Sequence, residues 1–206
     1  MKKKKLTKIT ELIISDENAE LSIDCISLVS QPAIEVDFVY MDKQKKNLTM
    51  SKIDKYSQEI ISPALIPDKN IFRYDPNTDE EFYVYFSKST VKKASEMYLR
   101  YNNHHKATYQ HEERIGGILT TESWIIEDPE NDKSNIYGYK LKKGTWMVKM
   151  KIENPEIWDK ILEGELKGVS IEGFFVDRLQ EMSTQQDVTD AEILEALNEI
   201  INTQKK

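Results

Sequence analysis

The stretch KGTWMVKMKIENPEIWDKILEGELKGVSIEGFFV, residues 143 to 176, decides the fold because its apolar period changes twice. From Gly144 to Ile152, Trp146, Val148, Met150 and Ile152 alternate with Thr145, Met147, Lys149 and Lys151, the period-two pattern of a half-buried strand. Asn154, Pro155 and Gly164 then bracket a segment with apolar residues four apart, which predicts a helix with Asn as N-cap, Pro at its first position and Gly past its end. After it, Val169, Ile171 and Phe175 alternate with Ser170, Glu172 and Phe174. A second strand is expected there, with Ser170 pointing away from the Val169/Ile171 face.

Working outward, Ile118 to Ile126 reads as another strand, and Glu81 to Phe86 as an aromatic one. Val91, Ala94, Tyr98 and Tyr101 follow at helical spacing, with Ser87 or Ser89 as cap. Residues 21 to 40 are rich in Ile, Val and Leu and broken at Gln31-Pro32, which predicts two short strands joined by a bend. No Pro/Gly/Ser-rich bridge separates two apolar halves, so one domain is expected over residues 21 to 178. Within it, residues 21 to 40 form an N-terminal strand unit, 41 to 58 a polar linker and 60 to 178 the body. Residues 1 to 20 read as a tail, and 179 to 206 as a polar linker leading to a helix with Ile193, Leu197, Ile200 and Ile201 on one stripe.

The net charge of −7 argues against nucleic acid as the main partner, because phosphate binding needs a basic face. No apolar run approaches a membrane span, and the lysine-rich start lacks the apolar core of a secretory signal. With Cys25 as the single cysteine, no intramolecular disulfide can form and a reducing, intracellular setting is expected.

An imidazole base near neutral pH must come from His104, His105 or His111, the three histidines of the chain. His104 and His105 fall at the expected end of the tyrosine-bearing helix, where histidines commonly cap carbonyls. His111 ends a short β-prone run just before Glu112-Glu113-Arg114 and the Gly116-Gly117 turn, a place suited to a cleft. Ser170 stands between Gly168 and Gly173, where a substrate backbone can approach a strand hydroxyl. The nucleophile elbow of α/β-hydrolases does not fit, since Glu172 fills its second glycine position. A metal site on His104, His105, His111, Glu112 and Glu113 lacks a ligating spacing, and no phosphate-cradling or dinucleotide motif occurs. Taken singly, a strand serine and a lone histidine are ordinarily structural or surface residues.

Several segments together resemble the XkdF-like phage serine proteases, a branch of the prohead proteases of tailed phages: SPALIPDKNIFRY (62–74), EEFYVYFSKSTVKK (80–93), His111-Glu112, ESWIIEDPENDKS (122–134), KGTWMVKMKIENPEIWDKI (143–161) and GELKGVSIEGFF (164–175). The resemblance implies an α+β fold of the herpesvirus assemblin type, a mainly antiparallel, β-barrel-like sheet surrounded by a few helices. It also implies Ser170 as nucleophile and His111 as general base, with no cofactor and no metal. The segment from Asp24 to Ala33 looks like a strand that other prohead proteases carry after the catalytic serine, which implies a circular permutation placing it beside the Ser170 strand. In those relatives the first residue of that strand supplies the third catalytic group. Cys25 stands in that register here, with Asp24 one place earlier, so Asp24 is the expected third member and needs a bulge to reach His111. Glu172, on the Ser170 face, is a further candidate. The oxyanion donors implied are the backbone N–H groups of Ala33 and Ile34, since Pro32 has none. Scaffold and major capsid proteins are the implied partners, with a homo-oligomer in addition, inside the procapsid in the host cytoplasm, and self-cleavage is expected. The competing expectation is a non-catalytic capsid-assembly or scaffold-associated protein that keeps the protease fold.

Overall fold

The Asn154 side chain caps a helix by accepting from the Glu156 and Ile157 N–H groups at 3.1 and 3.2 Å, and Pro155 occupies its first position. That helix, α2 (Pro155–Leu162), buries Ile157, Trp158 and Ile161. Ser87 rather than Ser89 caps the other helix, α1 (Lys88–Arg100), accepting from Thr90 N–H, and Val91, Ala94 and Tyr98 form its buried stripe. In the computed structural model, residues 8–15, 23–40 and 57–178 are described. Of the linker expected over residues 41 to 58, residues 41–56 lie outside them, as does the helix expected from Val188 onward.

Among the described residues, twelve strands accompany the helices: β1 (Lys8–Ile13), β2 (Cys25–Val29), β3 (Val39–Tyr40), β4 (Glu59–Leu65), β5 (Ile71–Asp75), β6 (Glu80–Tyr85), β7 (Ala107–Tyr109), β8 (Glu113–Ile115), β9 (Ile118–Ile125), β10 (Trp146–Ile152), β11 (Gly168–Glu172) and β12 (Val176–Asp177). They form three four-stranded sheets, ordered β12-β1-β6-β5, β3-β4-β10-β9 and β11-β2-β7-β8. The strand–helix–strand reading of residues 143 to 176 is thus β10, α2 and β11, and β2 lies beside β11 in antiparallel register with Ser170 opposite Ser27.

Two expectations are corrected. The fold is mixed α+β and mostly sheet, but among the described residues the strands do not close into a barrel. Closure requires every edge to be paired. Here β11 packs beside β4 with no ladder between them, and Pro63 in that part of β4 has no N–H to offer one. Residues 8 to 13, read as part of a tail, form a strand instead. Parallel pairing of β1 with β6 draws the segment into a sheet, burying Thr10 and packing Leu12 on the core while Ile9 stays exposed.

One hydrophobic core joins the three sheets to both helices. Ile26, Leu28 and Val169 enter it from the β11-β2-β7-β8 sheet and meet Trp146, Val148, Met150 and Ile152 from β10. Each such side chain contributes about 1.5–3 kcal/mol by leaving water. Met147, expected on the polar side of β10, is also fully buried, in a second cluster with Ile61, Ile126 and Tyr139. Hence β10 is covered on both faces at that point.

Candidate active site

Side chains on paired strands share a face, so the register of β11, β2 and β7 sorts their residues into two sets. Val169, Ile171, Ile26, Leu28 and Ala107 face or pack on the core. The opposite face carries Gly168, Ser170 and Glu172 from β11, Cys25 and Ser27 from β2, and Thr108 from β7, with Ser170, Ser27 and Thr108 in one row across the strands.

His111 arrives at that polar face from the turn after β7. Gln110 and His111 both adopt left-handed backbone, at φ 52° and 64°, a conformation that non-glycine residues hold only where surrounding bonds enforce it. Four bonds enforce it here. Gln110 N–H donates to the Leu28 carbonyl at 3.0 Å, Glu112 N–H to the Tyr109 carbonyl at 2.9 Å, and Ser30 N–H to Gln110 Oε1 at 3.2 Å. The fourth comes from His111 itself, whose N–H donates to the fully buried Ser27 Oγ at 3.0 Å.

The His111 ring places Nδ1 3.0 Å from Glu172 Oε1. A carboxylate only accepts, so Nδ1 carries the hydrogen, and in the neutral ring the lone pair is then on Nε2, the form of imidazole that can take a proton. Thr108 Oγ1 also donates to Glu172 Oε1, fixing the carboxylate from the neighbouring row. The structure therefore brings His111 and Glu172 into contact and sets Ser170 two residues from Glu172 on the same face. It makes no hydrogen bond between Ser170 Oγ and the His111 ring among the described residues, a contact that commonly tightens only when substrate binds.

Asp24 is engaged elsewhere. Its carboxylate accepts from Arg114 and lies 3.9 Å from Lys106 Nζ, while its backbone N–H donates to the Glu172 carbonyl at 2.7 Å. The carboxylate that meets His111 is that of Glu172. Cys25, directly across from Glu172, is fully buried, and burial, helped by the Glu172 charge, pushes its thiol up to about 12. It stays protonated at neutral pH and offers no competing thiolate. His104 and His105 sit in a 3-10 turn, Asn103–His105, their rings edge to face at 5.2 Å, and neither ring bonds a helix carbonyl among the described residues.

The turn carrying Ala33 and Ile34 crosses β11 on the polar face. A Cβ at Gly168 would lie 2.5 Å from Pro32 Cβ and Cγ, so only glycine lets the Pro32 turn settle there, one alternate position from Ser170. Glu35 N–H closes the turn on the Pro32 carbonyl at 2.8 Å, and Lys69 Nζ donates to the Ile34 carbonyl. Among the described residues the Ala33 and Ile34 N–H groups meet no acceptor. A cavity of about 250 Å³ adjoins Ser170, and Ala33 and Ile34 are part of its wall.

Ser27, Thr108 and Gln110 were not among the residues read as functional. Their signal was present in the polar positions of β2 and β7, but it becomes specific only once the register aligns them with Ser170. Among the described residues no group of three His, Cys, Asp or Glu side chains is placed to hold a metal ion.

Residues 70–178 match the family model described as "Putative phage serine protease XkdF". No curated protein and no solved structure matches the chain.

Proposed function

The chain belongs to the XkdF-like phage serine protease family, and from that premise we propose that it is a prohead endopeptidase in which Ser170, His111 and Glu172 form the catalytic triad. The observation that carries this reading is the 3.0 Å contact between His111 Nδ1 and Glu172 on the face of β11 that also bears Ser170. In the proposed reaction His111 Nε2 takes the Ser170 proton as Oγ attacks the scissile carbonyl carbon. The C–N bond then breaks, the leaving amine takes the proton from His111, and water hydrolyses the acyl-serine by the same route in reverse. Glu172 orients the imidazole and stabilises its cationic form. The unpartnered N–H groups of Ala33 and Ile34 hold the oxyanion, a role worth about 2.7–4 kcal/mol per donor.

The natural substrates in this reading are scaffold and major capsid protein segments inside the procapsid in the host cytoplasm, and the chain itself beyond Val176. Placement of β2 beside β11 supports the idea of a circularly permuted assemblin-like arrangement.

The test is a fluorophosphonate, which phosphonylates an activated serine whatever the substrate preference. The full chain gains one adduct by intact mass, mapped to Ser170, and Ser170→Ala gains none. In co-expression with the capsid and scaffold proteins, the same substitution lowers processing by at least about 10³-fold. An unlabelled native chain, or unchanged processing in Ser170→Ala, would overturn the protease reading in favour of a non-catalytic assembly protein.

A further inference from the structure

The cavity beside Ser170 is walled by aliphatic and aromatic groups, among them Leu12, Ala64, Leu65, Ile71 and Phe86, and it carries one charged side chain, Arg73. Arg73 stands two residues from Ile71 on β5 and lines the cavity while itself remaining solvent-exposed, whereas Ile71 is buried. Its guanidinium donates to the neighbouring Phe72 carbonyl at 3.0 Å, and among the described residues it has no carboxylate partner. Other cationic groups around the site, Lys69, Lys106, Arg114 and Lys160, all have one within 4 Å. Among the described residues Arg73 is thus the one charged side chain on the cavity wall, and its charge is open to water and to a ligand.

We propose that this cavity is the specificity pocket of the protease and that it selects a glutamate side chain on the residue whose carbonyl Ser170 attacks. The proposal rests on Ser170 being the nucleophile. When the scissile carbonyl lies between Ser170 Oγ and the Ala33/Ile34 N–H groups, its own side chain enters the cavity, because those same residues form part of the cavity wall. The apolar wall takes an aliphatic stem, and Arg73 takes a terminal carboxylate through its planar fork of donors. A volume near 250 Å³ admits one such side chain with room for its approach.

The experiment compares peptides that differ only by Glu, Gln or Lys at the residue before the cleaved bond, using the full chain. Fluorophosphonate labelling of Ser170 is read on the same preparation, so that an inert nucleophile is distinguished from a wrong pocket assignment. The native chain should favour Glu over Gln in kcat/KM by on the order of tenfold or more, the value of one charge-assisted hydrogen bond. That ratio should fall to about one in Arg73→Gln, and Arg73→Glu should prefer the Lys peptide to the Glu peptide. A ratio within one variant does not depend on how much active protein the preparation holds. Equal Glu and Gln rates in a labelled native chain would overturn the proposal, as would a Glu preference that survives Arg73→Gln. An unlabelled native chain would remove both the pocket and the protease reading.

Discussion

The two faces of the β11-β2-β7 unit are both largely covered on β2, yet they are held in opposite ways. On one, Ile26, Leu28 and Val169 are fully buried against the main core, where any well-fitting aliphatic group would serve. On the other, Cys25, Ser27 and Thr108 are as deeply covered but polar, and each has a partner: Cys25 Sγ reaches Thr108 Oγ1 at 3.9 Å, Thr108 reaches Glu172, and Ser27 Oγ receives the His111 N–H. Buried polar groups cost free energy unless they are hydrogen-bonded, so a covered polar face needs a complete network. The comparison teaches that the apolar face fixes where the strands lie, while the polar face fixes one histidine and one carboxylate.

Damage to the polar face should therefore appear in catalysis before it appears in folding. Glu172→Gln keeps the shape but replaces one carboxylate oxygen by an amide N–H₂, permitting the wrong His111 tautomer. It should lower kcat by on the order of 10³-fold with little change in Tm, measured by peptide hydrolysis and thermal unfolding. If activity survives, Glu172 is not the orienting acid. Ser27→Ala leaves the His111 N–H without an acceptor and loosens the left-handed turn. An effect of about tenfold on kcat is expected, with KM nearly constant and Tm lowered, the loss of one partly covered hydrogen bond costing about 0.5–1.5 kcal/mol. Ser27→Thr, which keeps the hydroxyl, should recover part of it, and an alanine variant with native kcat would break the link between the turn and the base. The smallest effect belongs to Asp24→Asn. Its ion pairs with Arg114 and Lys106 are substantially solvent-exposed, so stability should move by no more than about 0.5–1 kcal/mol and kcat by less than about threefold. A large loss there would return Asp24 to the triad.

The sequence made the local elements legible where caps and alternation coincide. Asn154-Pro155 and Ser87 mark helix starts by side-chain chemistry that acts within three residues, and Trp146 to Ile152 carries its buried face in its period. Ser170 and Glu172 were readable as neighbours on one face for the same reason. What could not be read from spacing is contact between distant segments. The partner of Asp24 is Arg114, 90 positions away, and nothing near residue 24 signals it. The left-handed turn at Gln110-His111 has no glycine to announce it, because it is imposed by Leu28, Ser27 and Ser30 from another strand. Likewise β1 was hidden in a lysine-rich start, since its parallel partner β6 is remote and only Thr10 and Leu12 turn inward.

The central position of β2 has a consequence for timing. Its two neighbours, β7 and β11, come later in the chain, and Ser27 cannot sit opposite Ser170 until residue 170 has been made. Long-range pairings of this kind form late, because the closure entropy must be met before the contacts can repay it. The polar face is therefore absent from any shorter nascent chain, and the His111 turn lacks a complete frame until β11 arrives. Translation itself delays the assembly of the site, with no separate inhibitor needed during synthesis.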